Sequence, residues 1–282
     1  MAIDLAALYA KYVDEQFTSE SQTGLVTNND FQWDGVDTIK VYKISTSAMN
    51  DYDRAGEKTA TQWSRYGVIK PLDAVTEVMT LSRDRSFTFV LDKLDVMETG
   101  DNLNALTALA RQNREVVIPE IDKYVYGKII AGAGEKPTAI TLTADNIFDE
   151  ILKANNALDN AEVPTNGRVI IVTPDTYQLM KKNSSIVMNT DIGQDMRIKG
   201  VISNLDGANV IKVPASHLPD NFGFAVCHPV ATVKAEKLAE CKVHDNPPGI
   251  SGYLVEGRYC YDAFVLDNKK AAIYYQENKP SA

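Results

Sequence analysis

The chain has 282 residues, 44% hydrophobic and 24% charged, enough apolar mass for one large domain or two smaller ones. Its formal net charge of −9 argues against specific DNA binding, because proteins that grip nucleic acid neutralise phosphates with basic patches. No run approaches the roughly 20 apolar residues that span a bilayer, so no membrane partner is expected.

The opening "MAIDLAALYAKYVDEQF" lacks the basic n-region and cleavage site of a signal peptide. Within residues 1–35, Leu5, Leu8, Tyr12, Val13 and Phe17 mark one short helical piece, and "TSESQTGLVTNND" reads as extended loop. Residues 36–47, "VDTIKVYKISTS", are rich in β-branched side chains and predict a strand, with "VTEVMTLS" (75–82) as its return. The polar stretch between them, 48–74, is too long for an ordinary connection. Residues 36–82 therefore read as one long β arm projecting from a body and packing on a neighbouring subunit. The plainer reading is a disordered surface insertion.

"RSFTFVLD" (85–92) alternates Phe87, Phe89 and Leu91 on one face and predicts a body strand. A long helix follows, with Thr99 or Asp101 as N-cap, running from about 101 to 130 on a stripe of Leu103, Leu106, Ala110, Val117, Ile121, Tyr124, Val125 and Ile129. The polar Asn113 interrupts the stripe. Such a rod would be roughly 45 Å long, against about 11–12 residues for an average helix. Pro119 sits inside it. Proline removes the hydrogen bond to the Glu115 carbonyl and clashes with it, which predicts a bend between Glu115 and Pro119. Arg111, Arg114, Glu115, Glu120, Asp122 and Lys123 are expected on the exposed side.

A second region, 140–245, reads as a compact α/β lobe. Asn146–Leu158 predicts an amphipathic helix, "RVIIV" a strand buried on both faces, and Thr173-Pro174 a capped helix start. Asp206-Gly207 between apolar runs is a hairpin signal. The tail "GRYCYDAFVLDNKKAAIYYQ" predicts two strands joined at Asp267-Asn268.

No catalytic constellation stands out. Cys241 and His244 have metal-ligand spacing, but adjacent Cys227 and His228 would point to opposite faces of a strand, so no metal is expected. The three cysteines (Cys227, Cys241, Cys260) lie at unrelated spacings and suit free thiols in a reducing compartment. Three histidines, His217, His228 and His244, leave little acid–base machinery near neutral pH. Asp92, Asp95, Glu98 and Asp101 suit a helix N-terminus electrostatically and match no calcium loop. "AGAGEKPT" follows a helix and lacks the phosphate-loop spacing, so it reads as a helix stop. Nothing implies a cofactor. Arg83, Asp84 and Arg85 alternate in sign; they are either a solvated set or an intersubunit salt-bridge element at the root of the arm.

The segments "YVDEQFTSES" (12–21), "WDGVDTIKVYKISTSAMNDYDR" (33–54), "DRSFTFVLDKLDVMET" (84–99), "NREVVIPEIDKYVYGKI" (113–129), "DGANVIKVP" (206–214) and "YDAFVLDNKKAAIYY" (261–275) carry a resemblance over nearly the whole length. In this order and spacing the chain resembles a major capsid protein of a tailed bacteriophage, with the Hong Kong 97-type fold. The resemblance implies an α+β subunit and no enzyme. Its expected parts are an N-terminal arm (1–35), an extended β-hairpin loop (36–83), a peripheral domain (84–139 and 246–282) on a spine helix (101–130), and an axial domain (140–245). It implies pentamers and hexamers closing into an icosahedral virion shell around double-stranded DNA, which is enclosed without sequence-specific binding. Scaffolding and portal proteins are the implied partners, and the bacterial host cytoplasm the implied site of assembly. The sequence begins at Met1 directly with the arm, so a separate scaffolding protein is expected. Tyr52, Arg54, Lys58, Trp63 and Arg65 are the intersubunit contact candidates, with Arg83, Asp84 and Arg85 at the loop root. Lys58 lies where some relatives cross-link, but no catalytic Glu can be assigned and no cross-link is predicted. Encapsulin compartments are similar in fold and supply the alternative, against which "VDEQFTSES" favours a phage. A cysteine- or metal-dependent enzyme using Cys227, His228, Cys241 or His244 is the remote one.

Overall fold

The computed structural model describes residues 21–28, 38–55, 64–69, 71–98, 105–183, 185–186 and 204–279. The chain divides into two units, residues 33–81 and the remainder.

The smaller unit is an antiparallel hairpin of β1 (Thr38–Ile44) and β2 (Ala74–Thr80), in register from Thr38↔Thr80 to Ile44↔Ala74. Lys43 and Glu77 form a diagonal ion pair at 2.7 Å, and Ser45 and Asp73 close the pair by a main-chain bond of 2.9 Å. The connection beyond them is cross-braced. The Asp53 N–H donates to the Arg65 carbonyl at 3.0 Å, and Tyr52 meets Tyr66 edge-on with centroids 5.0 Å apart. Asn50 Nδ2 donates to the Tyr66 carbonyl at 3.3 Å. Gly67 has φ +99°, and a Cβ there would lie 2.7 Å from Asn50 Nδ2, so the turn requires glycine. Within the described parts of 48–74 these contacts join the two sides of the connection.

The larger unit holds two sheets. β3 (Arg83–Asp92), β9 (Gly252–Val265) and β8 (Thr232–Asp245) form an antiparallel three-stranded sheet in the order β3-β9-β8. Period-two alternation puts Phe87, Phe89, Leu91, Val255, Tyr259 and Tyr261 on the face that joins the core. The helical run against it comprises α2 (Ala105–Gln112), a π-helical turn (Asn113–Val117) and α3 (Ile118–Ala131); a short α1 (Lys93–Glu98) precedes it. The expected caps Thr99 and Asp101, with Leu103, lie outside the described residues.

The second sheet contains β4 (Val169–Val172), β5 (Asn204–Leu205), β6 (Ala208–Lys212), β7 (Phe222–Cys227) and β10 (Ile273–Glu277), in the order β10-β7-β4-β6-β5. β4 is central and buried at every position. Val169 and Ile171 face the cluster built on α3, whereas Ile170 and Val172 face α4 (Ile147–Asn160) and α5 (Pro174–Lys182). Two apolar faces explain the unbroken apolar run. Thr173 caps α5 by accepting from the Thr176 N–H, and Asp206 (φ 51°) with Gly207 (φ 77°) make the tight β5–β6 turn.

The sheets redraw the expected boundaries. Residues 232–245, assigned from sequence to the 140–245 lobe, pair along β9 in the three-stranded sheet. The two tail strands do not pair with each other. A 3-10 helix, Asp267–Ala272, separates them, and β10 joins β7 in the five-stranded sheet. Strand propensity is local, whereas the choice of neighbour depends on which face each sheet must bury.

Candidate functional site

The long helix was the main sequence anomaly. One row of its buried positions, Ala105, Leu109, Asn113, Val117, Ile121, Val125 and Ile129, all under 9% exposed, repeats every four residues, and after residue 117 Ile118, Asp122, Tyr126 and Ile130 are buried beside it. An α-helix advances about 100° per residue, so a four-residue repeat drifts by about 40° each step. The π turn at Asn113–Val117 takes up the extra residue and returns the stripe to the core. The Ile118 N–H bonds to the Asn113 carbonyl, five residues back, and Pro119, which has no N–H to give, follows at once. The expected bend is thus a π turn immediately before Pro119. The stripe through Leu106 and Ala110 was one residue out of phase, since both are only partly buried.

Asn113 is a buried anchor. Its Oδ1 accepts from the Tyr259 hydroxyl at 2.9 Å, and that hydroxyl lies 2.9 Å from Cys241 Sγ. Burial pushes the Tyr259 phenol up. Glu115 pairs with Arg111 at 2.8 Å on the exposed side. Asp122, expected there as well, is instead 4% exposed. Its Oδ1 accepts from Ser21 Oγ at 2.6 Å, and desolvation raises its carboxyl above the usual range.

At the loop root, all three charged residues find partners within the chain. Arg83 stacks over the Tyr124 ring at 4.6 Å. Asp84 takes a two-pronged contact from Arg258 at 3.0 and 2.6 Å, which lowers its carboxyl below the usual range. Arg85 pairs with Glu120 at 2.7 Å. They tie β3 to α3 and β9. Exposed pairs of this kind contribute little energy singly but fix register.

One residue that sequence reasoning missed organises this root. Asp262 on β9 is 1% exposed. It accepts from the Ser82 N–H (2.9 Å), Ser82 Oγ (2.7 Å), Tyr124 Oη (2.8 Å) and the Ala263 N–H (2.8 Å). Ser82 is the first residue after the hairpin unit. The only sequence signal was an acid between apolar neighbours in "YDAF".

In the hairpin unit, Tyr52 and Tyr66 are 52% and 79% exposed, and Arg54 and Arg65 are exposed too. Lys58 and Trp63 lie outside the described residues. Ile44, Met49, Val68, Ile69, Leu72, Val75 and Val78 are also exposed, a density of apolar surface unusual for a monomer.

The metal candidates do not converge. Three residues apart on one strand, Cys241 and His244 point to opposite faces of β8. His244 lies 3.2 Å from Glu256, and Cys227 is buried at the end of β7, its thiol pushed up to about 12. Among the described residues no three His, Cys, Asp or Glu side chains gather as a metal site, and no helix is long and apolar enough to cross a membrane.

The two-sheet α+β body, long helix and hairpin together form the fold of phage capsid subunits. The chain is similar to a structure from Mycobacterium phage Che8, at 18% identity with TM-score 0.73, covering 90% of this chain and 89% of that one. It is similar to the capsid structure of the cyanophage P-SCSP1u, at 12% identity with TM-score 0.71, covering 91% and 87%. A virus-like particle from Pyrococcus furiosus shares the fold more distantly, at 11% identity with TM-score 0.57, covering 97% and 99%. No protein-family model matches the chain, and no curated protein matches it.

Proposed function

We propose that the chain is the major capsid protein of a tailed phage, assembling into pentamers and hexamers of an icosahedral shell that encloses double-stranded DNA. The observation that carries this reading is the likeness to phage capsid structures across nine-tenths of both chains. In this reading residues 36–83 are the extended loop, and Tyr52, Arg54, Lys58, Trp63 and Arg65 contact the neighbouring copy. The exposed apolar side chains of the hairpin unit support that assignment, since aromatic, aliphatic and Arg side chains are what an interface core buries. The three-stranded sheet with α2 and α3 corresponds to the peripheral domain, and the five-stranded sheet with α4 and α5 to the axial domain. Scaffolding and portal proteins are the expected partners in the host cytoplasm. The net charge of −9 keeps the wall from gripping the genome, and a strongly basic lumen in an assembled shell would contradict this.

The test is electron microscopy of the chain co-expressed with its neighbouring genes. Rings, sheets or closed shells are expected; a monomer that forms none under any condition refutes the reading. The likeness to the Pyrococcus furiosus particle favours one second reading, an encapsulin-like compartment. Cargo protein in place of DNA, portal and scaffold in the purified shells would select it.

A further inference from the structure

The connection from α4 into β4 holds the one Asn-Gly dipeptide in the sequence, Asn166-Gly167. Its flanks are fixed. Buried Arg168 donates to the carbonyls of Val163 and Pro164 at 2.6 and 3.0 Å, and the Asn209 N–H donates to the Arg168 carbonyl at 2.9 Å. Between these points Asn166 and Gly167 are exposed. Among the described residues, neither the Asn166 side chain nor the Gly167 N–H meets a hydrogen-bond partner. Gly167 has φ +87° and no side chain to shield its nitrogen. The Asn166 carbonyl, by contrast, is engaged. His228 Nδ1 accepts from the Val230 N–H at 3.3 Å, which places the proton of the neutral ring on Nε2, and Nε2 donates to that carbonyl at 3.1 Å.

We propose that Asn166-Gly167 is a self-modifying site, at which the chain deamidates to aspartate and isoaspartate with assistance from His228. The Gly167 nitrogen gives its proton to solvent hydroxide and attacks Asn166 Cγ. The N–Cγ bond forms, the Cγ–Nδ2 bond breaks, and Nδ2 leaves as ammonia with a proton from solvent, closing a five-membered imide. Water then opens the ring at Cγ, giving aspartate, or at the main-chain carbonyl carbon, giving isoaspartate with the chain routed through Cγ. One water is consumed and one ammonia released, with no oxidant or reductant. The nucleophile is an amide anion whose charge is shared with the Asn166 carbonyl oxygen of the same peptide plane. A donor on that oxygen favours the charged form, and His228 Nε2 supplies it. The product carries a new negative charge and, as isoaspartate, an extra main-chain methylene between the fixed ends of α4 and β4. Two dipeptides of similar chemistry are held back. Asn183, which precedes Ser184, is buried; its Oδ1 accepts from the Ser185 and Ile186 amides and its Nδ2 donates to the Ala144 carbonyl. Asp206, which precedes Gly207, has its carboxylate held by Asn155 Nδ2 at 2.8 Å. The reaction needs only the single chain and holds whether or not shells form.

Peptide mapping of the folded full-length protein during long incubation at mildly alkaline pH tests it. The expected result is a mass gain of about one dalton in the tryptic peptide ending at Arg168, placed on Asn166 by fragmentation and accompanied by isoaspartate. Asn183 should keep its amide until the chain is denatured. Asn166→Gln should remove the gain from that peptide, because the same attack would need a larger ring. His228→Ala should slow conversion in the folded protein about tenfold, the loss of one hydrogen bond to a charged acceptor, and leave the rate in urea unchanged. Should His228→Ala not fold, the Asn166→Gln and Asn183 comparisons still decide the site. An intact Asn166 in the folded protein after the denatured chain has converted, equal conversion at Asn183, a gain that survives in Asn166→Gln, or a native rate that His228→Ala does not lower would each overturn the proposal.

Discussion

Replacing Asp262 by alanine tests the root of the hairpin most directly. The carboxylate accepts four hydrogen bonds, two from main-chain N–H groups and two from hydroxyls. Its removal leaves the Ser82 and Ala263 amides and the Tyr124 hydroxyl without their acceptor at a site that is 1% exposed. An unmatched buried donor costs about 1–3 kcal/mol. Ser82 Oγ is close enough to rotate to Tyr124 Oη, 3.3 Å away, which recovers part of the loss. A net destabilisation of about 3–5 kcal/mol follows, within the range for breaking a buried charged network. In a chain of this size each kcal/mol lowers Tm by about 2–4 °C, so calorimetry of the unassembled subunit should show a fall of roughly 6–20 °C. Asp262→Asn keeps the shape and one acceptor oxygen and should lose about half as much. An Asp262→Ala melting temperature within about 2 °C of wild type would show that water replaces the carboxylate freely, and the reasoning would fail.

Gly257→Ala should destabilise the three-stranded sheet by about 1–3 kcal/mol, because a Cβ there would run into the Phe87 ring; an unchanged denaturant midpoint would contradict this. Arg168 is 3% exposed and donates to the carbonyls of Asn155, Val163 and Pro164 and to Asp159. Arg168→Met should cost about 3–5 kcal/mol and be seen first as lost amide protection at the end of α4. Cys227, with its thiol at about 12, should resist iodoacetamide at pH 8 in the folded subunit and react once denatured; labelling of the native protein would show that the strand end opens. Pro119→Ala should leave the subunit folded, since the four-residue stripe still calls for the wide turn, while shell curvature, yield or expansion changes. Unaltered assembly on all three counts would reduce Pro119 to a local detail.

Much of this architecture was legible in the sequence because its signals are local. Alternation fixed β3, β-branched composition fixed β1 and β2, and Thr173-Pro174 and Asp206-Gly207 carry their own stereochemistry. What only the tertiary structure decided is non-local. Period and propensity do not say which strand pairs with which, so β8 and β10 exchanged sheets relative to expectation. Acidity alone does not say whether a carboxylate faces water, so Asp122 moved from the exposed side to a buried contact with Ser21, a hundred residues upstream. Asp262 was invisible for the same reason, three of its four hydrogen bonds coming from Ser82, just before β3, and from Tyr124 on α3. The repeat of four from Ala105 to Ile129 was written in the sequence throughout. Reading it required knowing that Asn113 is buried, and its partner, the Tyr259 hydroxyl, is supplied from a strand far along the chain.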